Sequence, residues 1–175
     1  MKYITDETNG LRIKKTIGDY VFIAQYKPAD FIVLQNDLYE PENDAGLLSE
    51  ADKLRGFHYI DLRINTTIGN HVLKNGLSDE NEYYDRIQYF VSGVQNDITL
   101  TEGTDTLICN LCHFEYNDLS PSITLVLGFE RKNRDVGNAG MVLTYNDRIF
   151  NTGIVKIRFG KDDLNSIPDN ISYEK

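Results

Sequence analysis

A chain of 175 residues is of a size that folds as one domain and buries roughly two thirds of its unfolded surface in a single core. Its hydrophobic share of 41% and charged share of 26% describe a folded chain, and no apolar run approaches the ~20 residues of a membrane-spanning helix. The net charge of -9 repels phosphate backbones, which disfavours DNA or RNA as a partner.

From the N-terminus, apolar side chains alternate with a two-residue period in stretches rich in Ile, Val, Tyr, Phe and Thr, which predicts strands over 11–17 and 20–27. Gly18-Asp19 between them suits a tight hairpin turn. Pro28 followed by Ala29 and Asp30 predicts a short helix, because proline fits a first helical position and an acid favours the first turn. Residues 36–46 read as a loop. Ser49-Glu50-Ala51-Asp52 has the spacing of a capping box, with Gly56 placed to stop a helix after Arg55.

The clearest strand is 57–66, where His58, Ile60, Leu62 and Ile64 share one face and Tyr59, Asp61, Arg63 and Asn65 the other. Residues 70–76 read as a loop, and Ser78 with Asp79, Glu80 and Glu82 caps a helix expected to end near Tyr84. Alternation then predicts strands over 86–94, 98–101, 106–116, 123–130, 141–145 and 154–159. Turn residues stand at Glu102-Gly103, Asn146-Asp147 and Asn151-Thr152-Gly153, and residues 160–175 read as a polar tail. Connections this short join antiparallel neighbours. The expectation is one domain over 1–175: mainly β, an antiparallel sandwich with one to three short helices.

The most specific motif is Cys109-Asn110-Leu111-Cys112-His113, which satisfies the C-x-x-C-H pattern of covalent haem attachment. On a continuous strand over 106–116, residues three apart point to opposite faces. The two thiols are therefore expected to diverge, serving neither a haem nor a redox pair, and to pack as separate core cysteines. Zinc would need a fourth convergent ligand, and no second C-x-x-C or H-x-x-x-H exists; His58 and His71 read as isolated face-lining or surface histidines.

The acidic stretches at Asn36-Asp37, at Glu40, Glu42, Asn43 and Asp44, and at Asp162-Asp163 resemble calcium-binding loops of β-domains, but none has the spacing of an EF-hand loop, so solvated loops are expected. No G-x-S-x-G elbow is present, since Ser92-Gly93 lacks the leading glycine. Glu115 and Glu130 are candidates for a glycosidase-type carboxylate pair only through their strand positions. Tyr20, Tyr26, Tyr59, Tyr83, Tyr84, Tyr89, Tyr116 and Tyr145 could form a contact surface for a protein or glycan, against the plainer reading that they cover the core. Arg131-Lys132-Asn133-Arg134 reads as a polar hairpin connection in preference to an anion site. No residue is thus assigned as catalytic, cofactor-binding or metal-ligating, and no cofactor is expected.

Tyr20-Val21-Phe22-Ile23-Ala24-Gln25-Tyr26-Lys27-Pro28, Asp85-Arg86-Ile87-Gln88-Tyr89-Phe90, and Thr106-Leu107-Ile108-Cys109 leading to His113-Phe114-Glu115 resemble segments of uncharacterised exported proteins of Bacteroidota, often lipid-anchored. The likeness covers roughly residues 20–130. It implies a mature domain in the periplasm or at the cell surface, with a signal and an anchoring cysteine upstream, and it carries no activity. Residues 1–8 lack the apolar stretch of a secretory signal, so a cytoplasmic protein is the other reading. The resulting expectation is a non-enzymatic extracytoplasmic interaction or structural protein with a protein or glycan partner. The alternative is a metal-dependent or carbohydrate-active domain using its acidic loops or tyrosines.

Overall fold

The computed structural model describes residues 2–35, 44–117, 119–132 and 139–168. Its strands are β1 (Arg12–Ile17), β2 (Tyr20–Lys27), β3 (Phe57–Thr66), β4 (Ile98–Glu102), β5 (Asp105–Ile108), β6 (Leu111–Glu115), β7 (Ile123–Glu130), β8 (Met141–Asn146) and β9 (Ile154–Phe159). They form a five-stranded sheet of order β1-β2-β3-β7-β6 and a four-stranded sheet of order β5-β4-β8-β9. Every pairing is antiparallel, as the short connections imply. The helices are α1 (Lys2–Thr5), α2 (Ala29–Gln35), α3 (Asp44–Leu54), α4 (Glu80–Ser92) and α5 (Lys161–Asn165).

Two hairpins show why the local sequence folds this way. Ile17 pairs with Tyr20 across Gly18-Asp19, and Glu102 pairs with Asp105 across Gly103-Thr104. In each the first loop residue is a glycine with positive φ (55° and 59°), which a two-residue turn compatible with strand twist requires at that place. The β8–β9 connection is longer and is organised by one carboxylate. Asp147 accepts from the amides of Ile149, Phe150 and Thr152, from the Thr152 hydroxyl and from the Tyr145 phenol.

The alternating pattern of β3 is realised in full: His58, Ile60, Leu62 and Ile64 are buried between the sheets. They lie opposite Phe129, Leu127, Leu125 and Ile123 of β7. Leu100, Leu143, Tyr145, Val155, Ile157 and Phe159 of the second sheet complete one continuous core. At one edge β1 approaches β9, where the Lys15 ammonium donates to the Lys156 carbonyl at 3.0 Å. At the other, β5 of one sheet runs directly into β6 of the other.

Helix α3 starts at Asp44, so Ser49 lies inside it and does not cap it as the sequence spacing suggests. Three further expectations are corrected. Residues 86–94 do not form a strand, because 80–92 is helix α4. Asp79 caps it by accepting from the Glu82 amide, and Glu82 reaches back to the Ser78 amide and hydroxyl while pairing with Arg86. The Ser78 amide foremost, with Arg86 and the Ser78 hydroxyl, holds the Glu82 carboxyl down at about 2. The β-forming residues of 87–91 fit either period. The cap and the helical spacing of Tyr83, Ile87, Phe90 and Val94 settle it, extending the helix two turns beyond Tyr84.

The second correction concerns 106–116, which is two strands meeting at a corner. The third concerns the polar tail expected from residue 160. It begins as α5, whose Leu164 is buried in the core cluster; residues 169–175 lie outside the described residues.

Candidate functional site

The ends of β2, β3, β4 and β7 gather with α2 and α5 at one end of the sandwich. Pro28 ends β2 and turns the chain into α2, while β3 enters at Phe57. Among them lies an open pocket of about 480 Å3, walled by Tyr26, Asp30, Arg55, Phe57 and Arg131 and, from α5 onward, by Ile167. Arg55 is held by Asp52 at 2.7 Å and by Asp30 at 3.2 Å.

Behind Tyr26 sits His58, with no solvent exposure. The Tyr26 hydroxyl is 3.3 Å from His58 Nδ1. On the other side of the ring, Nε2 is 3.2 Å from Glu102 Oε2 but lacks the alignment of a hydrogen bond. Glu102 is also 3.9 Å from the Arg131 guanidinium. Burial lowers the His58 pKa, Arg131 pushes in the same direction, and Glu102 opposes both. The ring is therefore neutral at pH 7. Its Nδ1 accepts from Tyr26, and its hydrogen on Nε2 faces Glu102 without a formed hydrogen bond. Burial pushes the Tyr26 phenol up to about 12, against the pull of Arg131. The wall thus presents two guanidinium groups and a protonated phenol whose hydrogen is committed to His58, beside the Phe57 ring.

Sequence reasoning assigned no residue here. One signal was present: His58 occupies an inward position of a strand whose other inward residues are aliphatic, and a polar group there must find partners. Those partners come from β2, β4 and the residue after β7, distant in sequence, which is why they could not be named.

The other candidates fall as follows. Glu115 and Glu130 are both exposed and stand at opposite ends of the β6–β7 pair, opposite Thr124 and Phe57 respectively. Six residues of strand separate those ends, about 20 Å, well beyond the ~10 Å upper limit of a glycosidase pair. The proposed tyrosine surface is not assembled: Tyr26 and Tyr145 are buried, Tyr20 stacks on Phe150, Tyr83 and Tyr116 bond each other, and Tyr89 donates to Asp97. Tyr59 is half-buried beside Phe57, and only Tyr84 of the set is largely exposed. His71 packs edge-on against Tyr116. Asp163 fits against Gly10 and Gly160, Asp44 begins α3, and the acidic stretch over 36–43 lies outside the described residues. Arg131 faces Glu102 and Lys132 pairs with Asp105, while 133–134 lie outside them. Among the described residues, no three His, Cys, Asp or Glu side chains gather where they could hold a metal ion, and no helix is long and apolar enough to cross a membrane.

The cysteines require a correction. β5 ends at Ile108 in one sheet and β6 begins at Leu111 in the other, so the alternation slips by one residue at the corner. Leu107 and Cys109 point inward, Asn110 and Leu111 outward, and Cys112 and Phe114 inward again. The two thiols therefore both face the interior instead of diverging. His113 stands on the outer face, so the three groups do not address one haem.

No protein-family model matches the chain, and no curated protein matches it. Among solved structures it is similar to a protein of unknown function from Burkholderia pseudomallei, with a TM-score of 0.40, 11% identity, and coverage of 94% of this chain and 85% of that one. It is similar also to a DUF4426 family protein from Pseudomonas aeruginosa, with a TM-score of 0.39, 10% identity, and coverage of 85% of this chain and 91% of that one. Likenesses of this size leave the function to be read from the site itself.

Proposed function

We propose that the chain is a non-enzymatic binding domain of the cell envelope, and that the pocket at the Tyr26 end of the sandwich takes a small ligand bearing a carboxylate, such as an acidic sugar. The observation that carries this reading is the pocket wall. Arg55 and Arg131 offer donors, the Tyr26 phenol oxygen can accept, Phe57 offers an aromatic face, and the volume of about 480 Å3 lies within the range of small-ligand sites. Two guanidinium groups meet in one cleft of a protein with net charge -9, each positioned by a carboxylate, Asp30 for Arg55 and Glu102 for Arg131. His58 and Glu102 stand behind the wall, where they fix Tyr26 and do not reach a ligand. The likeness of the segments at 20–28, 85–90 and 106–115 to exported proteins of Bacteroidota supports an extracytoplasmic location.

The test is a thermal-shift panel of uronic acids, sialic acid and simple dicarboxylates with the full chain. A ligand at a hundredfold its Kd stabilises by about 2.7 kcal/mol. The expected result is a saturating rise in Tm for at least one acidic ligand, with affinity about tenfold weaker in Arg55→Ala. A panel without any shift, or a shift unchanged in both Arg55→Ala and Arg131→Ala, refutes the pocket assignment. Fractionation of native cells tests the location separately, and recovery in the cytosol alone would remove it.

A further inference from the structure

The corner between the two sheets carries both cysteines of the chain. Gln95 donates to the Cys109 carbonyl at 2.8 Å, the Asn110 amide to the Gly128 carbonyl at 2.9 Å, and the Glu130 amide to Asn110 Oδ1 at 2.9 Å. These bonds fix the backbone of the corner from three directions. Cys109 is buried, with 5% exposure, and its thiol lies 3.0 Å from the Leu111 carbonyl. Cys112 is only partly covered and sits on β6, an edge strand, between the exposed side chains of Leu111 and His113. Both sulfurs are free thiols.

We infer that Cys109 and Cys112 form a thiol–disulfide exchange site, in which Cys112 is the attacking thiol and Cys109 the resolving one, with a small-molecule disulfide as oxidant. Because both side chains turn inward at the same corner, closing to the ~2.05 Å of a bond asks for side-chain rotation within a backbone already held in place. The Cys109 S–H has one hydrogen, which turns from the Leu111 carbonyl to Cys112 when Cys112 ionises. That donation lowers the Cys112 pKa, while the same contact and burial raise that of Cys109. The order of reactivity follows, because the thiolate is the nucleophile and the more accessible sulfur meets the oxidant first.

The steps balance. Cys112 loses its proton and its thiolate attacks one sulfur of oxidised glutathione, expelling one glutathione thiolate, which takes up a proton. Cys109 then loses its proton and attacks the Cys112 sulfur of the mixed disulfide, expelling the second glutathione in the same way. Two protein thiols are oxidised to one disulfide, and one glutathione disulfide is reduced to two thiols.

The experiment uses the full chain, first reduced and freed of reductant, then incubated with oxidised glutathione, quenched, denatured and alkylated before intact-mass measurement. The expected product carries neither alkyl group nor glutathione and is lighter by two hydrogens, whereas the reduced protein carries two alkyl groups. Cys109→Ala should stop at a glutathione adduct on Cys112, and Cys112→Ala should form an adduct about tenfold more slowly. Alkylation of the native reduced protein should label Cys112 first. Two alkylatable thiols remaining at saturating oxidised glutathione, stable adducts on both sulfurs of the unmutated chain, or faster labelling of Cys109 would each overturn the assignment. The unmutated chain decides the question even if a substitution impairs folding.

Discussion

Asp147 organises the β8–β9 loop through a single side chain. With 8% exposure it satisfies the amides of Ile149, Phe150 and Thr152, so that Phe150 is delivered onto Tyr20 and Phe90 at the end of the sandwich opposite the pocket. Asp147→Ala would strand those amides and is expected to lower unfolding free energy by about 3 kcal/mol, with Asp147→Asn losing less because one carbonyl oxygen remains; urea denaturation reads the difference. His58 makes the matching case at the pocket end, where Tyr26, Glu102 and Arg131 face its ring. Its folded pKa lies below the ordinary 6.5, so as pH falls the unfolded chain takes up the proton first. Stability from this group is complete above pH 6.5 and is lost as pH falls toward the depressed folded value. The urea midpoint should drop over that range in the native sequence and drop less in His58→Gln.

Helix α4 illustrates how a local signal outweighs a periodicity. Residues 87–91 alternate well enough for a strand, but Asp79, Ser78 and Glu82 close the first turn, and Phe90 then lands on the Phe114 and Phe150 rings at centroid distances of 5.6 and 5.9 Å. Arg86, also buried, donates to the Leu73 and Asn75 carbonyls and so ties the helix to the segment before it. Asp79→Ala should cost about 1 kcal/mol and Phe90→Ala about 3–5 kcal/mol, with hydrogen exchange of the 80–83 amides rising in the first variant. β5 and β6 show the opposite case. Asn110 is a lone turn-forming residue inside an otherwise alternating run, with no Gly or Pro beside it, so the sequence gives little sign that the strand changes sheets there. Because the slip is a single residue, it reverses every side-chain direction downstream and brings together two thiols that continuous alternation separates.

Both sheets draw on one core, with Phe22 of the first facing Tyr145 of the second at 6.3 Å between centroids. The molecule should therefore unfold in one step, with far-UV circular dichroism and tyrosine fluorescence giving coincident urea transitions. Separate midpoints would mean that the two sheets fold independently. At high pH the buried Tyr26 phenol, raised to about 12, keeps its proton after the unfolded chain has lost it near 10. Its contribution is whole below pH 10 and disappears as pH rises toward 12.

The two-residue alternation, the glycines at 18 and 103 and the short connections determined a mainly β chain of antiparallel strands, because each of those signals is local and set by backbone sterics. Residues 57–66 are the fullest instance, since their pattern alone named the inward face. Tertiary structure decided the rest. The meeting of Tyr26, His58, Glu102 and Arg131, the pocket they back, and the approach of Cys109 to Cys112 depend on which strands become neighbours and where a chain crosses between sheets. Those choices are fixed by burial of the whole core, a sum over distant residues that no local stretch of sequence contains.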